Sequence, residues 1–273
     1  MSTGFTEPAK KHLGQNFLHE KGVIDKIVQA INPQPGDAIV EIGPGQGALT
    51  FPLLKRHGAL TAIEFDRDLH TPLQAAARAH GQLKLIEGDV LGVNFSTLAA
   101  ELAPSEGKIR LVGNLPYNLS SPILFHALDH AACIRDMHFM LQKEVVERMA
   151  AEPGSKVYGR LSVMLQAYCS VTPLFVVPPG AFRPAPKVDS AVVRLVPKPT
   201  QQVLVSDHTR FAHVVRAAFG QRRKTLRNAL NGVADSAAIE AAGLRPDARA
   251  EQIAVADFVH LANLLTANEP AGG

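Results

Sequence analysis

Short apolar runs recur along the first half of the chain, with stretches of helical periodicity between them. Each run is nearly continuous in apolar residues, which favours parallel strands covered on both faces over half-exposed antiparallel strands. The segments between the runs are long enough for crossover helices, so the pattern predicts βαβ units. The predicted strands are AIVEI (38–42), LTAIEF (60–65), LKLIEG (83–88), IRLVGN (109–114) and MHFMLQ (137–142).

Two later apolar runs, VTPLFVVPP (171–179) and VDSAVVRLV (188–196), lie on either side of a proline-rich turn. They predict a hairpin at one edge, which would make the sheet mixed there. After this hairpin the apolar residues follow helical spacing. We therefore predict a sheet domain over 1–197 and a small all-α domain over 203–268. The helices predicted in the second domain cover 211–230, 235–242, 246–250 and 255–266, with stops at Gly232 and Gly243.

Basic residues are concentrated in one part of the chain. Residues 153–234 contain 12 Lys and Arg against 2 Asp and Glu, a net charge of +10, whereas the whole chain has a formal net charge of +3. This imbalance is typical of a surface that meets a polyanion, and an unevenly charged solvated surface explains it equally well.

Cysteine and histidine usage argues against several classes of protein. Cys133 and Cys169 are the only cysteines and form no CxxC pair, which argues against a disulfide framework and favours a reducing cytosol. The 11 histidines include no HExxH pattern, so we assign no metal. No apolar stretch approaches the roughly 20 residues of a membrane span, and the N-terminus has no signal-peptide pattern. We expect a cytoplasmic monomer without membrane contact.

A glycine-rich turn, VEIGPGQGALT (40–50), follows the first predicted strand directly. Gly43, Gly45 and Gly47 permit positive φ and let the backbone approach a ligand, and nucleotides bind where such turns leave parallel strands. The spacing is GxGxG rather than the dinucleotide fingerprint GxGxxG, and Pro44 lacks the N–H that a pyrophosphate would use. A turn without a ligand and an NAD site both stay open at this point.

Two acids stand at the ends of the next predicted strands, Glu64 after the second and Asp89 after the third. Glu64 can accept both hydroxyls of a ribose, and Asp89 can accept from an adenine amine. Each acid alone is more often a helix cap or a solvated turn residue. Together with the glycine turn they favour a nucleoside ligand without phosphate, a description that S-adenosylmethionine fits.

The fourth predicted strand runs into Asn114-Leu115-Pro116-Tyr117. An adenine amine is a poor nucleophile because its lone pair is delocalised into the ring, and two acceptors aligned with its N–H bonds would favour a more pyramidal nitrogen. The Asn114 oxygen is one acceptor, the carbonyl of Leu115 or Pro116 is the second, and Tyr117 can stack on the base. An Asn-Pro turn with a packed tyrosine is the structural alternative, which the preceding glycine turn and strand-end acids make the weaker one.

These motifs resemble those of the ribosomal RNA adenine N6-dimethyltransferases, and closely those of the bacterial small-subunit dimethyladenosine transferases. The resemblance implies an α/β fold: the Rossmann-like sheet of the class I S-adenosylmethionine-dependent methyltransferases, followed by a small C-terminal all-α domain. It runs from residue 10 to about residue 261, and residues 231–273 match least distinctively. Its further landmarks are GQNFL (14–18), EFDRDL (64–69), GDVL (88–91), HFMLQKEVVERM (138–149), GRLSVM (159–164), PPGAFRPAPKVDSAVVRL (178–195) and FGQRRKTLRN (219–228).

The resemblance also implies a substrate and further site residues. The substrate would be two adjacent adenosines in a hairpin near the 3′ end of small-subunit (16S) rRNA, each dimethylated on an immature 30S particle during ribosome biogenesis. Tyr117 would lie against one face of the adenine and Phe182 against the other, although the local sequence alone makes Phe182 a core anchor or a stacking platform with equal weight. The implied cofactor contacts are Asn16, Leu18, Gly43, Glu64, Asp89 and Asn114, to which the glycine turn adds Gly45.

The densest basic cluster lies within residues 216–227. Arg216, Arg223 and Arg227 fall at i, i+7 and i+11, near one face of the predicted helix. A solvated helix is the alternative, and we favour phosphate contacts that orient the rRNA. The predicted RNA contacts are Arg216, Arg222, Arg223, Lys224 and Arg227.

Three other functions are compatible with parts of the sequence. A large-subunit rRNA adenine N6-methyltransferase of the resistance type would share the site motifs, but the long match through 178–195 favours the small subunit. A ribosome assembly factor that retains the fold would not need the intact motif at 114–117. An NAD-dependent oxidoreductase would bind a nicotinamide cofactor instead.

Overall fold

The computed structural model describes residues 8–10, 14–103, 105–221 and 223–268. Its strands are β1 (Phe17–Leu18), β2 (Ala38–Ile42), β3 (Ala59–Glu64), β4 (Gln82–Glu87), β5 (Ile109–Asn114), β6 (Ile134–Gln142), β7 (Cys169–Val177), β8 (Phe182–Arg183) and β9 (Ser190–Pro197). Its helices are α1 (Lys21–Ile31), α2 (Thr50–His57), α3 (Arg67–Ala77), α4 (Phe95–Leu102), α5 (Ser120–Asp129), α6 (Lys143–Met149), α7 (Arg160–Tyr168), α8 (His208–Gly220), α9 (Leu226–Ala229), α10 (Ser236–Ala241) and α11 (Val255–Ala267).

Within these described ranges, seven strands form one mixed sheet in the order β4-β3-β2-β5-β6-β9-β7. β2 pairs in parallel with both β3 and β5, whereas β9 is antiparallel to β6. From β2 the chain first moves outward through β3 and β4, and then returns to the other side of β2 for β5 and β6. Right-handed crossovers therefore place the connecting helices on opposite faces, and a crevice opens between β2 and β5. The predicted α/β fold with a mixed edge is confirmed.

The burial of the strands follows their position in the sheet. The central strands β2, β3 and β5 are buried along nearly their whole length, with Val40, Leu111 and Phe139 of β6 fully buried. β4, at one edge, alternates between exposed and partly buried residues. The expectation that the strands are covered on both faces therefore holds for the central strands, and it is wrong for β4 at the edge.

A second, two-stranded sheet joins β1 to β8 in antiparallel register, with Leu18 opposite Phe182. Both residues belong to the hydrophobic cluster that contains Ile27 and Ile31 of α1. The sequence did not predict this sheet, because strands of two residues have no detectable period. It holds Phe17 and Leu18 next to this cluster before α1 begins.

The chain divides into two compact units, which we call the sheet unit (1–146 and 172–197) and the helical unit (147–171 and 198–273). The sheet unit ends at residue 197. The predicted sheet domain also contained residues 147–171, but the structure groups this segment with the helical unit. The reason is that α7 packs on α8 and α11, a long-range contact that helical spacing does not reveal.

One predicted helix of the helical unit, 211–230, is wrong, because the structure breaks it into α8 and α9. Thr225 forms a bridge with Arg249, and the Leu226 N–H donates to the Ala248 carbonyl at 2.7 Å. Where the helix would have continued, residues 225–226 instead pair with residues 248–249. The same pairing removes the helix predicted at 246–250, and a 3₁₀ turn over Ala250–Gln252 follows instead.

A buried ionic network lies at the amino ends of the strands, on the side of the sheet opposite the crevice. Arg110 of β5 contacts Asp136 of β6 through Nε at 2.9 Å and Asp37 through Nη1 at 2.6 Å, and its Nη2 donates to the Ile31 carbonyl at 2.6 Å. Burial alone would raise the pKa of Asp136, but the neighbouring His138 and Arg110 hold it at about 2. The network therefore ties β5, β6, the start of β2 and the end of α1 together.

We expect Arg110→Met to destabilise the protein by about 3–5 kcal/mol, because it removes the buried cation that Asp37 and Asp136 share. The free energy of unfolding in urea, followed by circular dichroism, measures this loss. Arg135→Met is the control, since Arg135 also pairs with Asp37 but is 52% exposed. It should cost less than about 1 kcal/mol, and equal losses in both variants would contradict the structural role of Arg110.

Candidate active site

A pocket in the sheet unit opens at the carboxyl ends of β2, β3 and β5. The order of strands reverses at this point, where open α/β sheets bind their ligands. Most of the residues predicted to contact a cofactor or a base line this pocket. They are Asn16, Leu18, Gly43, Gly45, Glu64, Asp89, Asn114, Leu115 and Tyr117.

The glycine turn after β2 has a positive φ at all three of the glycines named from sequence, Gly43, Gly45 and Gly47. Gly43 has a φ of 65° and Gly45 a φ of 55°, in the left-handed region. The Gly43 N–H donates to the Ile63 carbonyl of β3 at 2.9 Å, and a Cβ on Gly45 would lie 3.2 Å from the ring of Phe17. The turn is thus fixed to the neighbouring strand and covered by the N-terminal segment.

Glu64 is held beside this turn by two backbone amides. Its Oε2 accepts the N–H of Gly45 at 3.0 Å, and its Oε1 accepts the N–H of Asp66 at 2.8 Å. Burial raises the pKa of Glu64, and these two hydrogen bonds oppose the rise. Because a carboxylate offers about four acceptor positions, each oxygen can still accept a hydrogen bond from a ligand.

Asp89 stands exposed at the edge of the pocket. Its Oδ1 accepts the N–H of Leu91 at 3.0 Å and so caps the short helical turn Val90–Gly92. The capping role that the sequence left as an alternative is therefore present. It uses one carboxylate oxygen, and the second oxygen is available to a ligand.

Sequence reasoning missed Glu41, which lines the pocket from β2 and is 2% exposed. Its Oε2 accepts a hydrogen bond from the Thr50 hydroxyl at 2.7 Å. Burial raises the pKa of Glu41 to about 8, the Thr50 bond acts against the rise, and the charge of Glu64 adds to it. The available signal was an acid inside an otherwise apolar strand, directly before the glycine turn.

The charge of the pocket indicates the kind of ligand that it can hold. Its described lining contains Glu41, Glu64 and Asp89, and no Lys, Arg or His. A pyrophosphate would meet uncompensated negative charge here, whereas a cationic ligand would be stabilised. These acidic side chains therefore fit a sulfonium nucleoside better than a dinucleotide.

Asn114 ends β5 with its side-chain amide in a defined orientation. Its Nδ2 donates to the Asn16 carbonyl at 3.0 Å, which leaves Oδ1 as an acceptor in the pocket. The Pro116 carbonyl accepts hydrogen bonds from the Leu119 N–H at 3.0 Å and the Ser120 hydroxyl at 3.1 Å. Of the two carbonyls considered from sequence, Leu115 is therefore the one available to a substrate amine.

Tyr117 is fixed at its hydroxyl end. Its hydroxyl lies 2.7 Å from the hydroxyl of Ser190, a buried residue at the start of β9. Burial raises the pKa of Tyr117, and this hydrogen bond opposes the rise. The ring lines the pocket beside Asn114 with its position set from both ends, as a stacking platform requires.

Phe182 does not line the pocket. Its side chain is 2% exposed and belongs to the hydrophobic cluster of the sheet unit, in register with Leu18. The core-anchor alternative therefore describes this structure, and stacking on a base would require the ring to leave its packing. A paired two-residue strand, invisible in the sequence, accounts for the difference.

The described basic residues of the cluster are exposed in the helical unit. Arg216 lies on α8, Arg223 and Lys224 follow the end of α8, and Arg227 lies on α9. The expectation of one continuous helical face is wrong, because α8 ends at Gly220. Arg222 lies outside the described residues.

The described part of the chain shows no group of three or more His, Cys, Asp or Glu that could hold a metal ion. Among its helices, none combines the length and the apolar character that crossing a membrane requires.

The chain is similar to known proteins in both sequence and structure. A family model described as ribosomal RNA adenine dimethylase matches residues 6–267. A ribosomal RNA small subunit methyltransferase A of Xanthomonas campestris pv. campestris is 70% identical over 264 residues, which cover 97% of this chain and 99% of that protein.

Two solved structures share the fold. A dimethyladenosine transferase from Plasmodium falciparum is 26% identical, with a TM-score of 0.76 over 90% of this chain and 95% of that chain. The 23S rRNA methyltransferase ErmE is 24% identical, with a TM-score of 0.69 over 92% of this chain and 100% of that chain, a likeness of fold alone. Since the family model and the 70% identical relative each span nearly the whole sequence, the chain belongs to the ribosomal RNA adenine dimethylase family.

Proposed function

We propose that this chain dimethylates the N6 amines of two adjacent adenosines in a hairpin near the 3′ end of small-subunit rRNA. It is an S-adenosylmethionine-dependent rRNA adenine dimethyltransferase, and its 70% identical relative is named for the small subunit. One observation carries the mechanism: the Asn114 amide presents its oxygen in an acidic pocket at the carboxyl end of β5.

The pocket has separate groups for the parts of S-adenosylmethionine. Glu64, with a free lone pair on each oxygen, is suited to the two ribose hydroxyls, and Asp89 to the adenine amine. Asn16, Leu18 and the glycine turn (43–47) supply the surrounding backbone. When bound, this cofactor supplies an electrophilic methyl group on a positively charged sulfur.

Asn114 and Leu115 position the substrate amine. The Asn114 Oδ1 and the Leu115 carbonyl accept its two N–H bonds, so that the nitrogen lone pair points away from both acceptors. Neither group titrates near neutral pH, and the nitrogen becomes acidic only after it is methylated. Their contribution is therefore orientation, a large effect when reacting atoms are held in line.

Stacking on Tyr117 holds the adenine after it has left its helix, a step that costs about a few kcal/mol. The ring of Phe182 is buried, so we propose that it contacts the opposite face of the base only after it has left its packing in the core. A singly methylated amine has one N–H left, and it must fit with its methyl group beside one of the two acceptors.

The exposed basic residues of the helical unit are proposed to bind rRNA phosphates. Arg216, Arg223, Lys224 and Arg227 contribute positive charge without base specificity, and Arg222 belongs to the same proposal. An immature 30S particle in the cytoplasm is the proposed substrate, met by a monomer of this chain.

The main alternative is methylation of large-subunit rRNA. Purified 30S and 50S precursors, incubated separately with labelled S-adenosylmethionine and analysed by mass spectrometry, distinguish the two. Dimethyladenosine at two adjacent positions of 16S rRNA is expected, and label confined to 23S rRNA would overturn the assignment. A pure assembly factor would transfer no label, and an oxidoreductase would bind NAD in calorimetry.

We expect Asn114→Ala to lower the rate of methyl transfer at saturating substrates by about 100-fold, because one of two aligned acceptors is lost. Thermal unfolding and rRNA binding should be unchanged. Asn268→Ala, at an exposed helix end, is the matched control and should turn over normally. Undiminished methylation by the Asn114 variant would show that the amide does not hold the amine.

Replacing Phe182 should mainly affect stability, whereas replacing Tyr117 should mainly affect methyl transfer. Phe182→Ala empties a packed site and should lower the free energy of unfolding by about 3–5 kcal/mol. Tyr117→Ala should mainly lower methyl transfer, because the Tyr117 ring lines the pocket. Urea unfolding and turnover measured on both variants test this. A Phe182 variant of normal stability that has lost turnover would instead support base stacking.

Substituting Arg223, Lys224 and Arg227 together by Gln should weaken rRNA binding and reduce its salt dependence. The slope of log affinity against log salt is expected to fall by roughly 0.7–0.9 for each phosphate contact removed. Filter binding at several salt concentrations measures it. Arg245→Gln is the control in the same unit, because Arg245 is already paired with Asp247 at 2.6 Å. An unchanged slope in the triple variant would exclude these residues from the RNA contact.

A further inference from the structure

The N-terminal segment that lines the pocket, residues 14–18, is held at both of its ends. We call it the strap. At its C-terminal end, β1 pairs with β8, and the His19 N–H donates to the Ala181 carbonyl at 2.9 Å. At its N-terminal end, the side chain of Gln15 attaches the strap to Asp66.

Gln15 uses both ends of its amide. Its Nε2 donates to the Asp66 Oδ2 at 2.8 Å, and its Oε1 accepts the backbone N–H of Lys10 at 2.8 Å. Asp66 is 5% exposed, and its Oδ1 accepts the Lys10 ammonium at 2.5 Å. Hydrogen bonds to a charged, largely buried carboxylate are stronger than neutral ones, so this attachment is firm.

Between the two attachments, the Asn16 carbonyl meets the side chain of Asn114. A primary amide has nearly the same shape when turned by 180°, but its two ends have opposite hydrogen-bonding character. The Asn16 carbonyl, 3.0 Å from the Asn114 Nδ2, accepts only from the NH2 end. It therefore selects the orientation in which the Asn114 oxygen is offered to the pocket.

We propose that Gln15 and Asp66 are positioning residues for methyl transfer: they fix the Asn16 carbonyl, which keeps the Asn114 amide in its productive orientation. Without this attachment the amide can turn its NH2 group toward the substrate amine, where a donor would face a donor. The inference rests on the proposed function, since it acts through Asn114.

Asp66 also links the attachment of the strap to the cofactor side of the pocket. Its backbone N–H donates to Glu64 Oε1 at 2.8 Å, while its side chain holds Gln15. The acid suited to the ribose and the amide suited to the base are therefore connected through one residue at the start of α3.

The test exchanges the two partners. Gln15→Glu places a carboxylate against Asp66 and should lower the rate of methyl transfer at saturating cofactor and rRNA by about 10- to 100-fold. Adding Asp66→Asn restores a donor–acceptor pair, because the amide introduced at position 66 can donate to the carboxylate introduced at position 15 and still cap α3. The double variant should recover to within about threefold of the original rate, a rescue that double-mutant cycles detect. Gln74→Glu, exposed on the same helix, is the charge-matched control.

A second readout reports the amide directly. The side-chain NH2 resonances of Asn114, identified by their absence in Asn114→Ala, should shift in Gln15→Glu and return in the double variant. A change that only loosened the fold would lower the melting temperature without such a return. If Gln15→Glu does not fold, Gln15→Met, which keeps the length but lacks both polar ends, should show the same loss of rate.

The two proposals fail in different ways. An original chain that does not methylate 30S precursors overturns the proposed function. An active original chain, together with normal turnover and unchanged Asn114 resonances in Gln15→Glu, overturns the positioning role alone. Loss of activity in Gln15→Glu without rescue by Asp66→Asn also contradicts it.

Discussion

The reversal of strand order at β2 is the constraint on which the rest of this structure depends. The chain leaves β2 toward β3 and returns on its other side at β5, so the crossovers from these neighbours go to opposite faces. No connection can then cover the carboxyl ends of β2 and β5, and a crevice is left between them. The glycine turn, Glu64 and Asn114 meet there although long stretches of sequence separate them.

Charged residues are arranged differently at the amino ends and the carboxyl ends of the strands. At the amino ends of the strands, the buried Arg110 pairs with both Asp37 and Asp136, and the half-exposed Arg135 and Arg194 supply further positive charge to these two carboxylates. At the carboxyl ends, Glu64 and Asp89 line the described pocket beside Glu41, which holds a proton at neutral pH, and no cation accompanies them in that lining. The first arrangement stabilises the fold, whereas the second leaves a negative potential for a ligand to compensate.

Much of this site could be predicted from sequence because it depends on local signals. The apolar runs gave the strands, and the topology of βαβ units brought Glu64, Asp89 and Asn114 to one edge. Long-range pairings carry no such signal. The β1–β8 sheet buries Phe182, the Thr225–Arg249 bridge breaks the predicted helix, and Gln15 finds its partner Asp66 far along the chain. For the same reason Asn16 and Leu18 came from family resemblance, not from local chemistry.

Glu41 gives the pocket a proton to exchange. Its pKa is raised from 4.5 to about 8, so between these values the folded protein holds a proton that the unfolded chain releases. The free energy of unfolding therefore falls as the pH rises through this interval. A cation bound against this carboxyl would favour the ionised form and expel the proton. Association of a sulfonium nucleoside near neutral pH would then acidify the solution, and its measured heat would depend on the ionisation enthalpy of the buffer.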